Sequence, residues 1–228
     1  MNKVRLQRAE DTADYPEFTV QLPKTTIPGP VPDDSDNTRM KKILNDRNVA
    51  RPLAAIAAAT CVVLVLMGRV WWCEIGDLSP WSWDIWSSHN SQHLFDPYAL
   101  SHLQHGIGLF LLLSACGSQW LSVRARTLIV ACIEAAWEIA ENTPFMINRY
   151  REATISLNYF GDSILNSISD YVMCLLGVLL ARMTSWKTGL TVFLTLEISS
   201  ILWIKDSLML NILMLVVPIE AVKQWQAP

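Results

Sequence analysis

Residues 133–145 read IEAAWEIAENTPF. Ile, Ala and Trp make the segment apolar enough for a hydrocarbon environment, yet Glu134, Glu138 and Glu141 interrupt it at spacings of four and three. On a helix, positions i, i+4 and i+7 share one face. A carboxylate near the middle of a lipid-facing helix costs on the order of 2.5–3.5 kcal/mol, and three would cost roughly 8–10 kcal/mol. The stripe must therefore face the interior of a helix bundle, and the rest of the chain has to supply its partners.

Composition agrees with a bundle in a membrane. Of 228 residues, 51% are hydrophobic and 17% charged, against about 25% charged in an ordinary soluble domain. Nine of the 18 Lys/Arg and eight of the 21 Asp/Glu fall within residues 1–52. This part contains TTIPGPVPDDSDN, too poor in apolar groups to offset the entropy of ordering it. Residues 1–50 are expected to form a disordered cytoplasmic tail, with a short helix at TRMKKILNDR and room for a cytoplasmic partner. Residues 51–228 are expected to form a helical transmembrane domain. No cleavable signal peptide is visible, so the first apolar span reads as an uncleaved signal anchor. A net charge of −3 with no basic cluster argues against a nucleic-acid partner. The five cysteines form no C-x-x-C pair or zinc-knuckle spacing, and four lie in apolar segments, so no disulfide framework is expected.

Five apolar spans are predicted, at about 53–72, 99–116, 127–145, 162–181 and 188–205. Each approaches the ~20 residues a helix needs to cross a bilayer. A last stretch, 208–219, is short and makes a sixth span only if it crosses. Lys41, Lys42, Arg47 and Arg51 precede the first span, Arg124 and Arg126 mark the second turn, and Arg182 and Lys187 the fourth. By the positive-inside rule the amino terminus is cytoplasmic, and loops 73–98 and 142–161 face outward in a bacterial inner membrane. The tryptophans at 71, 72, 81, 83 and 86 read as an aromatic belt at headgroup depth.

Counting 1.5 Å per residue from the outer ends places Glu141, Glu138 and Glu134 roughly 5, 9 and 15 Å deep. His102 and His105 lie at roughly 5 and 9 Å, and Asn166 and Asp170, on the helix opened by Asp162, at roughly 6 and 12 Å. Three helices thus bring polar groups to matching depths, with His105, Glu138 and Asp170 nearly level. Those three are the candidate catalytic groups. Glu134, Glu141, Asn166, Arg149 and Arg151 are candidate substrate-binding groups, the arginines standing at the mouth, where they suit a phosphate. His102, His105, Glu138 and Asp162 form a mixed N/O set suited to a divalent metal such as zinc. Ser101, Ser163 and Ser167 lie near the histidines, but no G-x-S-x-G elbow supports a serine nucleophile. Glu134 and Glu197 could instead carry a proton path, and Glu–His bonds could simply tie helices together.

Three stretches, WSSHNSQHLFDPYALSHLQHG, IEAAWEIAENTPFMINRYREATISLNYFGDSILNSISD and KDSLMLNILML, resemble the uncharacterised bacterial membrane protein family 0314, also known as domain of unknown function 2585. The resemblance covers about residues 70–217 and implies a multi-pass inner-membrane protein without an assigned activity. A His-bearing helix, a Glu-bearing helix and the D-x-x-x-N-x-x-x-D of Asp162, Asn166 and Asp170 are more distantly similar to VanZ-like proteins, which are linked to glycopeptide resistance.

The sequence therefore predicts an all-α integral membrane protein of five or six transmembrane helices in contact with membrane lipids. Its outward-opening His/Glu/Asp pocket would bind or modify an amphiphilic envelope substrate. The alternatives are a non-enzymatic structural or accessory membrane protein, and a small transporter or proton relay. Whether the chain is an enzyme, and its oligomeric state, stay open at this level.

Overall fold

The computed structural model describes residues 47–154, 156 and 158–227. The expectations for the tail, its short helix and its partner lie outside the described residues, except that the first helix opens at Arg47. In chain order the described helices are α1 (Arg47–Leu66), α2 (Ala99–Gly117), α3 (Val123–Glu141), α4 (Pro144–Ala153), α5 (Ile164–Met183), α6 (Trp186–Ile204), α7 (Leu208–Val216) and α8 (Glu220–Gln226). No strand occurs among the described residues; Trp81 and Phe95 form only an isolated bridge.

Local chemistry sets the helix starts. Ser122, Thr143, Ser163, Ser185 and Ser207 each accept a hydrogen bond from the backbone N–H three residues on, the usual device for satisfying an orphan donor in the first turn. The third span ends four residues earlier than the sequence suggested, at Glu141 rather than 145. Pro144 has no N–H to continue the ladder and holds Thr143 extended, at φ −76° and ψ 149°, so a new helix, α4, begins inside the expected loop 142–161. The first span also stops early, at Leu66. Gly68 turns the chain at φ 77°, so Trp71 and Trp72 belong to the loop rather than to the helix end.

The helices α1, α2, α5 and α6 have the length and apolarity to cross a membrane. With 19 residues, α3 is as long, but it carries Arg124, Arg126, Glu134, Glu138 and Glu141. At nine residues, α7 spans only about 14 Å, so the stretch at 208–219 forms a short helix and a turn.

The tightest contact lies between α2 and α5. A Cβ at Gly106 would fall on the Cys174 carbonyl, and one at Gly177 on the Leu103 carbonyl. Backbone therefore packs on backbone, as small residues allow in membranes. Ile107, Phe110, Val130, Cys174 and Val178 fill the core around this crossing. Loop 67–98 folds across one end of the bundle, where Ser163 N–H donates to Ser91 O at 2.9 Å and Ile164 N–H to Val70 O at 2.8 Å.

Gly106→Ala and Gly177→Ala should each cost at least about 1–3 kcal/mol of stability. Gly108→Ala, which would meet only the Phe193 ring at 3.0 Å, should cost less. Thermal unfolding in detergent reads the difference; a Gly177→Ala protein as stable as wild type contradicts the close approach.

Candidate functional site

The carboxylate stripe of α3 meets the histidines of α2, but one turn away from the alignment expected. His102 Nδ1 donates to Glu134 Oε1 at 2.5 Å, and His105 Nδ1 to Glu134 Oε2 at 3.0 Å. Glu138 and Asp170 lie beside His102, with Oε1 3.3 Å from Nδ1 and Oδ2 3.9 Å from Nε2. Of the expected trio, Glu138 and Asp170 thus come together around His102, while His105 bonds Glu134 instead. The reason is the early end of α3. Counted from Glu141, Glu138 lies about 5 Å deep, level with His102, and Glu134 about 10 Å deep, level with His105.

The four proposed metal ligands do not converge on one point. Their donor atoms form overlapping groups instead: His102, His105 and Glu134; His102, Glu138 and Asp170; and Glu138, Glu141 and Asp162. The second has three buried donors from three helices and would suit a mixed N/O site. Glu134 and Glu138 are both fully buried, yet their surroundings differ. Glu134 has one imidazole on each oxygen. Neither oxygen of Glu138 has a hydrogen-bond partner, because His102, though within ion-pair distance, directs its N–H at Glu134. Asp170 Oδ1 and Asn166 Oδ1 are also buried without a partner.

At the rim, Asn142 Nδ2 donates to Asp162 Oδ2 at 2.8 Å, and Asp162 N–H returns a bond to Asn142 Oδ1 at 2.8 Å. Tyr159 O–H reaches both Asp162 oxygens at 3.1 Å. Burial, then the Asp162 and Glu141 carboxylates, push the Tyr159 phenol well up, so it remains a donor at neutral pH. The polar well at the bundle end has a volume of about 50 Å³ and is lined by His102, Glu141, Asp162, Asp170, Tyr98, Tyr150 and Tyr159, among others. That volume accommodates a few waters or the end of a small polar group.

Arg149 and Arg151 do not line this well. Arg149 Nε donates to Leu215 O at 2.8 Å, pinning the end of α7. Arg151 Nε donates to Tyr159 O at 2.7 Å, and its guanidinium lies over the Phe160 ring. Asn166 donates to His93 O at 2.8 Å and so anchors the loop. Glu197 is engaged too: Gln104 Nε2, Ser207 Oγ and Met209 N–H all donate to it, which ties α7 to α6 and α2. Of the three serines, Ser101 lines the well, while Ser163 caps α5 and Ser167 lies 3.4 Å from Asn142 Nδ2.

Two adjoining apolar clefts, about 380 and 260 Å³, run along the outside of the same cluster and share His105, Trp137 and Ile212. Glu134 stands on the wall of the second. Sequence reasoning missed Tyr98, Asn142, Tyr150 and Tyr159. Asn142 alone carried a signal, standing four residues after Glu138 on the same face; the tyrosines arrive through loop folding. Arg69, just beyond α1, was also missed; its Nε donates to Asp162 O at 3.0 Å.

A family model described as "Protein of unknown function (DUF2585)" matches residues 64–228, well over half of the chain. Among curated relatives, a UPF0314 protein of Rhizobium meliloti (strain 1021) is 48% identical over 180 residues, covering 77% of this chain and 89% of the relative. A UPF0314 protein of Sphingopyxis alaskensis is 38% identical over 178 residues, covering 76% and 92%, and one of Paracoccus denitrificans is 41% identical over 177, covering 74% and 91%. No solved structure matches the chain significantly. The chain belongs to the DUF2585 (UPF0314) family.

Two outcomes follow from the geometry. Glu134→Gln, which breaks a buried bond to two imidazoles, should cost about 3–5 kcal/mol, whereas Glu138→Gln, which removes a partnerless buried carboxylate, should be neutral or stabilising. Chemical or thermal unfolding in detergent compares them, and equal losses would contradict the division. The second concerns Asp206, buried in the turn after α6, where it accepts from Tyr98 O–H at 3.2 Å and Ser207 N–H at 2.8 Å. Burial pushes its carboxyl up to about 6. The folded state therefore holds a proton that the unfolded chain, titrating near 3.9, releases. Its contribution to stability falls as pH rises from about 4 to about 6. Wild type should gain on the order of 1 kcal/mol relative to Asp206→Asn between pH 7 and pH 5, read as the pH dependence of the difference in melting temperature.

Proposed function

We propose that this DUF2585 member is a multi-pass protein of the bacterial inner membrane, with a cytoplasmic amino terminus, that binds or modifies an amphiphilic envelope substrate at the outer leaflet. In this reading α3 crosses the bilayer as a fifth span, its carboxylates shielded by α2 and α5. The observation that carries the reading is the shared carboxylate: Glu134 holds His102, on the wall of the polar well, and His105, on the wall of the apolar clefts. A molecule with a polar end and a chain would find one environment for each, a single turn of helix apart.

The chemistry of the well narrows the polar end. Glu141, Asp162 and Asp170 line the well beside His102, and Arg149 and Arg151 lie outside it with their Nε–H groups on backbone carbonyls, so a phosphate meets repulsion. A hydroxyl- or ammonium-bearing group, which donates hydrogen bonds, fits these acceptors, among them Asp170, whose Oδ1 lacks a partner; Glu138, with neither oxygen bonded, stands off the wall beside His102. If the substrate is modified, Glu138 is the general base this arrangement favours, with His102 beside it to receive or return a proton. A divalent metal on His102, Glu138 and Asp170 is a further occupant the donor set fits.

Ile212→Trp should fill the junction of the two clefts. Mass spectrometry of lipids retained through detergent purification should show one amphiphile class enriched in wild type and reduced at least about tenfold in Ile212→Trp, a loss near 1.4 kcal/mol. Glu138→Gln should keep the fold and lose that enrichment. Identical lipid profiles in all three proteins, each with wild-type stability, would exclude substrate binding and favour a structural role for the cluster.

A further inference from the structure

Loop 67–98 holds a second group of ligating side chains, separate from the well. Cys73 Sγ lies 3.4 Å from His89 Nδ1, which lies 3.2 Å from His93 Nε2. One ligand atom from each of the three residues lies within 4.8 Å of the other two. Around a tetrahedral zinc ion, with Zn–S near 2.3 Å and Zn–N near 2.0–2.1 Å, adjacent ligand atoms stand about 3.3–3.6 Å apart. The 3.4 and 3.2 Å spacings about His89 lie at or close to this range.

The second neighbours are arranged as metal-bound imidazoles require. His93 is fully buried, and its Nδ1–H donates to Ser79 O at 2.5 Å. A carbonyl can only accept, so this bond fixes the tautomer and turns the Nε2 lone pair toward Cys73 and His89. The Trp72 ring packs edge-on against His93, with centroids 5.4 Å apart, and its Nε1–H donates to Asp77 O at 2.7 Å. That bond holds Asp77 beside the cluster, with Oδ2 3.9 Å from His89 Nδ1. His89 and Asp77 are partly exposed, which leaves a path from water.

We propose that Cys73, His89 and His93, with Asp77 closing the tetrahedron, form a structural zinc-type site that braces the loop over the polar well. A Cys/His/His set with an aspartate beside it favours zinc over the hard, oxygen-seeking calcium or magnesium. The brace acts where the loop meets the bundle. Asn90 and Ser91, on the turn between the two histidines, line the well, and the His93 carbonyl accepts from Asn166 on α5. Metal at the site therefore ties the roof of the well to one point, whatever the well binds.

The test uses full-length protein in detergent, stripped with a chelator and titrated with Zn²⁺ or Co²⁺. Wild type should take up one metal per chain, and the cobalt form should show a thiolate-to-cobalt charge-transfer band with tetrahedral visible absorption. Cys73→Ser should abolish the charge-transfer band, and Cys73→Ser and His89→Ala should each weaken binding by more than the roughly 10–100-fold typical of losing an outer-shell partner. Glu138→Gln should bind as wild type does, which separates this site from the well. His89 is partly exposed, so His89→Ala preserves a folded protein for the comparison should Cys73→Ser fold poorly. Absence of stoichiometric metal, or binding lost in Glu138→Gln and kept in His89→Ala, would overturn the proposal.

Discussion

The architecture depends on how closely α2 and α5 approach. At Gly106 and Gly177 each helix meets the other's carbonyls, and no side chain of any size fits between. The two helices run in the same direction, and the contact sets their register. Gly106 faces Cys174; one turn earlier on both, His102 faces Asp170. Two residues 68 apart in sequence become neighbours because two glycines elsewhere on the same helices leave no other seating. Lipid offers no hydrophobic drive for helix association, so a close-packed backbone seam of this kind is a natural anchor.

Burial then divides the acidic groups into two kinds. Glu134 satisfies both oxygens with imidazoles and couples α3 to α2, a bond whose loss would strand three polar groups. Glu138, one turn outward, has neither oxygen satisfied, and Asp170 has one oxygen in the same state. Folded proteins rarely leave such atoms alone unless a ligand, ion or water completes them. The contrast within one stripe separates a carboxylate bonded on both oxygens from one bonded on neither, a distinction that spacing alone does not carry.

The end of the bundle is closed by irregular chain. Loop 67–98 crosses the helix ends, α4 turns back over them, and α7 is fastened by Glu197 and Arg149. Tyr98, Tyr150 and Tyr159 come from different segments of this cover and surround the acidic rim. The two arginines read from sequence as a phosphate-binding mouth are the fasteners of that cover. Their carbonyl partners at Tyr159, Leu215 and Val216 lie up to 67 residues away, and no local pattern announces such a bond.

The amino-acid sequence by itself determined the helical class, the family, the order of the long helices and the set of polar residues on α2, α3 and α5. Apolar runs and i, i+4 spacing are local, and the cost of an ionised group in lipid forces such residues inward whatever the fold. Pro144, a local feature, ended α3 four residues earlier than expected and moved the depths of its carboxylates by about one turn. Only the tertiary structure decided which histidine faces which carboxylate, because the register of α3 against α2 is set by packing between helices distant in sequence. It also decided that His89 and His93 meet Cys73, since a non-helical loop carries no period from which such a meeting could be read. Local periodicity fixes faces; register and loop closure depend on contacts between distant parts of the chain.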